Sequence, residues 1–116
     1  MEGDYDDRIS SARGVVIAAR IEKNEPQANL DFWVEAIDLR LQKRGYTTSA
    51  PIASVKNTQG VLGRSLRYAS GTNQYWVDVY VSPKHIVIVE ATGRAIDLEA
   101  SRKDVEGAMR DVRTNS

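Results

Sequence analysis

Residues 30–46 read LDFWVEAIDLRLQKRGY. Leu30, Trp33, Val34, Ile37 and Leu41 fall at i, i+3, i+4, i+7 and i+11, one continuous stripe at helical spacing. Glu35, Asp38, Arg40, Gln42 and Lys43 lie mainly off that stripe. Asn29 suits the N-cap, and Asp31 sits well near the positive end of the helix. Lys43 and Arg44 complement the negative end, and Gly45 is a natural left-handed residue just past it. The spacing therefore predicts a helix that closes at Gly45. Its stripe needs cover, and the expectation is that it plugs a core, with Trp33 largely buried between helix and sheet.

The flanking segments supply the other half of that core. Before the helix, GVVIAARI (14–21) reads as a strand, apolar on both faces until Arg20. Residues 22–29 are a loop punctuated by Pro26 and two Asn. After the helix, Tyr46 to Gly93 reads as four strands. The first, YTTSAPIASVKN, is broken by Pro51, which marks an edge or a bulge. NTQG (57–60) is a turn, and VLGRSLRYA follows, with Gly63 at a bulge or a close backbone approach. YWVDVYV (75–81) alternates: Tyr75, Val77, Val79 and Val81 on one face; Trp76, Asp78 and Tyr80 on the other. IVIVEATG (86–93) has two apolar faces. Short connections make these neighbours antiparallel. A closing helix begins near Ser101, where Ser101 and Asp104 resemble a capping box, with Val105, Ala108, Met109 and Val112 as its stripe.

The expected fold is α+β: an antiparallel sheet of four to five strands packed with two helices, in the order β-α-β-β-β-β-α. Residues 1–10 are acidic, with Tyr5 as their one aromatic, and read as a flexible tail; residues 11–116 read as a single α+β domain, with 113–116 fraying. The 41% hydrophobic and 28% charged residues are those of an ordinary globular chain. Sixteen basic residues balance sixteen acidic ones, which argues against broad nucleic-acid binding, since that needs a basic surface. No apolar run approaches the roughly 20 residues that cross a bilayer. The first residues lack the basic and apolar regions of a signal peptide. The expectation is a cytosolic start or a mature fragment with a replacement Met.

The absence of cysteine removes disulfides, thiolate nucleophiles and thiolate metal sites. His85 is the single histidine, and its SPKH context predicts an exposed turn residue with no nucleophile beside it. Asp4, Asp6 and Asp7 cluster but lack the glycine and distal glutamate of a calcium loop. Gly60 and Gly63 lack the Lys and Ser/Thr of a phosphate loop. Neither a metal nor a cofactor is expected. The set worth attention is Trp76, Asp78 and Tyr80 on one sheet face, with Arg67 reaching it from the neighbouring strand. Aromatics beside arginine suit a protein-binding surface. The competing reading is that the closing helix or a loop covers Trp76 and Tyr80. Glu90 interrupts the last strand and is expected to pair with Arg64 or Arg67.

The element order, with QGVLGRSLRYA, YWVDVYV and IVIVEATG before a terminal helix, resembles the PsbP-like fold, which includes photosystem II extrinsic subunits and small bacterial lipoproteins and assembly factors. The resemblance is one of layout over residues 14 to 113, without the long mid-chain loop of the plant members, and no site residue transfers. It implies a non-catalytic binding or assembly module, often outside the cytoplasm. The expectation is a module of the bacterial cell envelope with a protein partner, no nucleic acid, and membrane association only through a lipid anchor outside this sequence. A cytosolic adaptor or chaperone-like protein-binding domain is the alternative. A small enzyme working through carboxylates is a third reading, which requires a positioned acid–base set.

Overall fold

In the computed structural model, which describes residues 5–10 and 14–112, the quoted stretch forms α1 (Leu30–Lys43). Both ends close as the sequence predicts. Asn29 Oδ1 accepts from the Phe32 amide at 2.9 Å, satisfying one of the orphan donors of the first turn. Gly45 takes a φ of +95°. Its amide donates to the Gln42 carbonyl at 3.0 Å, and the Tyr46 amide donates to that of Leu41 at 3.1 Å. Those two bonds are the Schellman closure, which a left-handed glycine makes possible.

The strands are β1 (Tyr5–Ser10), β2 (Val16–Lys23), β3 (Thr47–Lys56), β4 (Leu62–Ser70), β5 (Asn73–Val81) and β6 (His85–Arg94). They form one antiparallel sheet in the order β1-β2-β6-β5-β4-β3. The α+β class and the run from β2 through α1 to β6 are as expected. Residues 5–10, however, are a strand and not a tail. Once β6 occupies one edge of β2, the other edge offers unpaired backbone groups, and backbone pairing needs no apolar side chains. Residues 1–4 and 113–116 lie outside the described part of the chain.

The closing helix is also different. It comes in two pieces, α2 (Ala95–Ala100) and α3 (Arg102–Arg110), jointed at Ser101. The Ser101 side chain makes no cap bond. A capping box needs a chain that enters from an extended conformation. Here the chain arrives already helical, and the Ser101 amide is bound to the Asp97 carbonyl at 3.2 Å.

The sheet is covered on both faces. On one, α1 sets Val34, Ile37 and Leu41 against Leu66, Tyr68, Val77, Val79, Ile86 and Ile88. On the other, Leu98 of α2 and Val105 and Met109 of α3 pack on Trp76, Tyr80, Val87 and Val89. The alternation in β5 sorts these two sets. Trp33 is half-buried at the end of the α1 stripe, not enclosed as expected. Its indole donates to Asn24 Oδ1 at 2.7 Å, and that polar bond holds the ring at the rim. On the far side of α1, Phe32 and Leu39 face outward.

Pro51 sits where its chemistry predicts. β3 is an edge strand, and its pairing with β4 slips between Thr48 and Ala50 and again between Ala50 and Ala53. Gly63 is a close approach. A Cβ there would lie 2.5 Å from the Val79 carbonyl and 2.6 Å from the Tyr80 ring. Gly63 and Tyr80 are directly paired across β4 and β5, so the phenol lies over the bare backbone of the glycine.

Candidate functional site

The four residues expected to form a surface do come together. Arg67 and Trp76 are cross-strand partners, and the Arg67 guanidinium lies 5.1 Å from the indole centroid. Arg67 Nη1 donates to Asp78 Oδ1 at 3.1 Å. Yet Trp76 is 0%, Asp78 1%, Tyr80 1% and Arg67 8% exposed. α3 lies on them. Arg102 of α3 also lies over the Trp76 ring, 4.8 Å from its centroid, and Glu106 pairs with Arg67 at 3.7 Å and with Arg102 at 3.3 Å. The expectation of a protein-binding patch at Arg67, Trp76, Asp78 and Tyr80 is therefore corrected. They are the bed on which α3 is seated, because a sheet with apolar positions on both faces recruits cover for both.

That bed is charged, and its electrostatics are those of burial. Loss of solvent pushes the Asp78 carboxyl above its ordinary value, with Arg67 working against the shift. Burial, and the Asp78 charge beside it, push the Tyr80 phenol up to about 12. Asp78 Oδ2, the Tyr80 hydroxyl and Arg110 Nε have no hydrogen-bond partner among the described residues.

The open site is on the opposite face, where α1 leaves part of the sheet accessible. A cleft of about 330 Å³ lies between the last turn of α1 and strands β2, β5 and β6. Arg40 in the last turn of α1 and Arg44 at its C-cap form one wall; Arg20 of β2 stands opposite; Tyr46, Tyr75, Glu90 and Thr92 are among the other lining residues. Glu90 is firmly engaged. It accepts from Arg20 Nη1 at 2.9 Å and from the Tyr75 hydroxyl. Arg20 Nε also pairs with Glu22 at 2.8 Å. Burial works against the Arg20 charge, but Glu90 and Glu22 outweigh it and hold the guanidinium above its ordinary value. Glu90 thus pairs with Arg20, not with Arg64 or Arg67. Arg64 reaches Asp31 at 3.6 Å, and Arg67 is committed to the other face.

Tyr46 packs against Tyr75 with centroids 5.2 Å apart and edge-on to Tyr68 at 6.3 Å. Tyr68 donates to Asp38 at 2.5 Å, which ties α1 down on its acidic flank. A second hollow of about 310 Å³ shares Tyr46, Tyr75 and Thr92 with the first, and continues past Ser70 and Asn73 to Gly14 and Gly93. The two make one groove. From the sequence, Arg20 belongs to a strand, Arg40 to the polar side of the helix and Arg44 to its end, and none of the three is assigned to a site. The i, i+4 spacing of Arg40 and Arg44 was a visible signal; the neighbourhood of Arg20 and Glu90 depends on β2 lying beside β6, which spacing alone does not reveal.

His85 is half-buried at the start of β6 rather than in an exposed turn. Among the described residues, no three His, Asp or Glu side chains gather as a metal-binding set, and no helix is long and apolar enough to cross a membrane. No family model and no curated protein matches the chain. Among solved structures, it is similar to PA94 of Pseudomonas aeruginosa, a protein of unknown function for which a regulatory role has been suggested. The TM-score is 0.75 at 13% identity, over 97% of this chain and 85% of that one. At that identity the likeness establishes a shared fold.

Proposed function

We propose that this protein is a non-catalytic binding or assembly module and that the groove beside α1 is where it takes its protein partner. The observation that carries this reading is the arginine-walled cleft that α1 leaves open on its face of the sheet. Its one carboxylate, Glu90, is held between Arg20 and Tyr75 and fixes the Arg20 guanidinium in place. The regulatory role suggested for PA94 belongs to that protein, but it agrees with a binding function. The bacterial cell envelope is the proposed location and a PsbP-like affiliation the proposed kinship; both rest on the layout of strands and helices. A cytosolic adaptor is the alternative.

Thr92 offers the cleanest test. It is exposed, and it lines both halves of the groove. Thr92→Trp plugs the midpoint without altering charge, and Trp is well tolerated in strands. In affinity capture with the intact chain, specific partners retained by the wild type should be lost on Thr92→Trp while the thermal melt is unchanged. Equal capture by both proteins would show that the groove is not the binding site.

A further inference from the structure

Two observations together specify the chemistry of the groove's ligand. The first is charge. The whole chain is neutral, yet Arg20, Arg40 and Arg44 line the cleft with Glu90; counting Glu22, which also pairs with Arg20, three cations face two carboxylates, a local excess of one positive. Arg20 is spent on Glu22 and Glu90. Arg40 and Arg44 are exposed and have no ion-pair partner among the described residues. On a helix they are neighbours, so their guanidinium forks can converge on one carboxylate, the geometry that arginine favours. The ordinary role of such residues, complementing the negative end of a helix, accounts for their sign. It does not account for the recess they border.

The second is shape and lining. Beyond the shared Tyr46, Tyr75 and Thr92, the groove carries no charge; it offers Ser70, Asn73 and bare backbone at Gly14 and Gly93. A Cβ at Gly93 would lie 3.3 Å from the Gly14 carbonyl and 3.4 Å from the Val15 side chain, so the approach there is close. The hydroxyls of Ser70 and Thr92 and the Asn73 amide offer donors and acceptors that suit the backbone of an extended chain. A recess floored by sheet is also poorly placed to meet the plane of a bilayer.

We infer that the groove binds an acidic peptide segment in extended form, with one carboxylate between Arg40 and Arg44 and its backbone running over Tyr46 and Tyr75 toward Gly14 and Gly93. This rests on the binding-module reading above and names the chemistry of its partner.

The test uses the full chain and fluorescence anisotropy with an acetylated, fluorescein-labelled peptide of alternating Gly and Glu, about six residues long to span an extended site. Its Gly–Lys and Gly–Ser counterparts serve as controls. The Gly–Glu peptide should bind selectively, and raising the salt from about 20 mM to about 300 mM should weaken it severalfold, since exposed charges are screened. Arg40→Glu with Arg44→Glu should weaken binding about tenfold or more, and the double Arg→Lys variant by about threefold, because charge survives while the bidentate fork is lost. Both arginines are exposed, so the Arg→Lys variant should melt with wild type; the Glu variant places negative charge at the C-terminal end of α1 and should melt slightly lower, and binding is compared well below either midpoint. Equal binding of the three peptides, or binding indifferent to the Glu variants, would overturn the proposal. So would Arg40- and Arg44-dependent sedimentation with phosphatidylglycerol vesicles in the absence of peptide binding, which would assign the groove to a lipid headgroup. If Thr92→Trp abolishes partner capture but the Glu variants do not, the ligand chemistry fails and the binding module stands; if neither affects capture, both fail.

Discussion

Tyr80 carries a tension between two roles. Its ring covers the bare backbone of Gly63, which is why no larger residue fits at that position. Its hydroxyl, enclosed by the same packing, has no partner among the described residues. Burying an unpartnered hydroxyl costs free energy, whereas replacing it by a hydrogen does not. Tyr80→Phe should therefore leave the thermal midpoint at neutral pH unchanged or raised. The alkaline limb gives the second readout. The folded phenol titrates near 12 against an ordinary value of 10.0. A raised value means that the fold prefers the protonated phenol, so its stabilisation is complete below pH 10 and is withdrawn as pH rises from 10 toward 12. A shift of that size corresponds to about 2–3 kcal/mol. Melts across that range should fall less steeply for Tyr80→Phe than for wild type, and identical slopes would place the alkaline sensitivity elsewhere.

At the scale of elements, the two helix entrances behave oppositely. Asn29 bonds the third amide of α1, whereas Ser101 bonds nothing with its side chain. Asn29→Ala should cost about 1 kcal/mol, the ordinary worth of an N-cap. Ser101→Ala should shift urea denaturation by less than about 0.5 kcal/mol, as surface changes usually do. A loss at Ser101 comparable to that at Asn29 would contradict the cap assignment. The contrast also marks how far the sequence could be read. α1 was legible because its stripe, its N-cap and Gly45 all point to one helix. β3 was legible as an irregular edge because Pro51 has no amide to donate. β1 was not, because acidic residues 5–10 resemble a solvated tail, and their pairing with β2 uses the edge of β2 that β6 leaves open, which their side chains do not announce. Ser101 misled because its spacing to Asp104 is the same whether the chain arrives extended or already helical.

The same limit governed the site across the whole molecule. Alternation placed Trp76, Asp78 and Tyr80 on one face and adjacency brought Arg67 to them, but alternation does not say which face a later helix will occupy. The groove depends on which strand lies beside which. The strand order β1-β2-β6-β5-β4-β3 also has a kinetic side. β3 to β6 are successive hairpins, but β2 reaches β6 from the other end of the chain, with Val16 opposite Thr92. Closing so long a loop is entropically costly and comes late. In chevron measurements Val79→Ala, in the buried centre of β5, should chiefly slow folding, whereas Ile17→Ala, in β2, should chiefly accelerate unfolding; the reverse pattern would mean that the distant pairing nucleates the fold. During synthesis the order of emergence runs against the order of assembly. β2 leaves the ribosome well before β6 exists to receive it, so the nascent chain waits with Val15, Ile17 and Ala18 uncovered by their final partners until the last strand has been made.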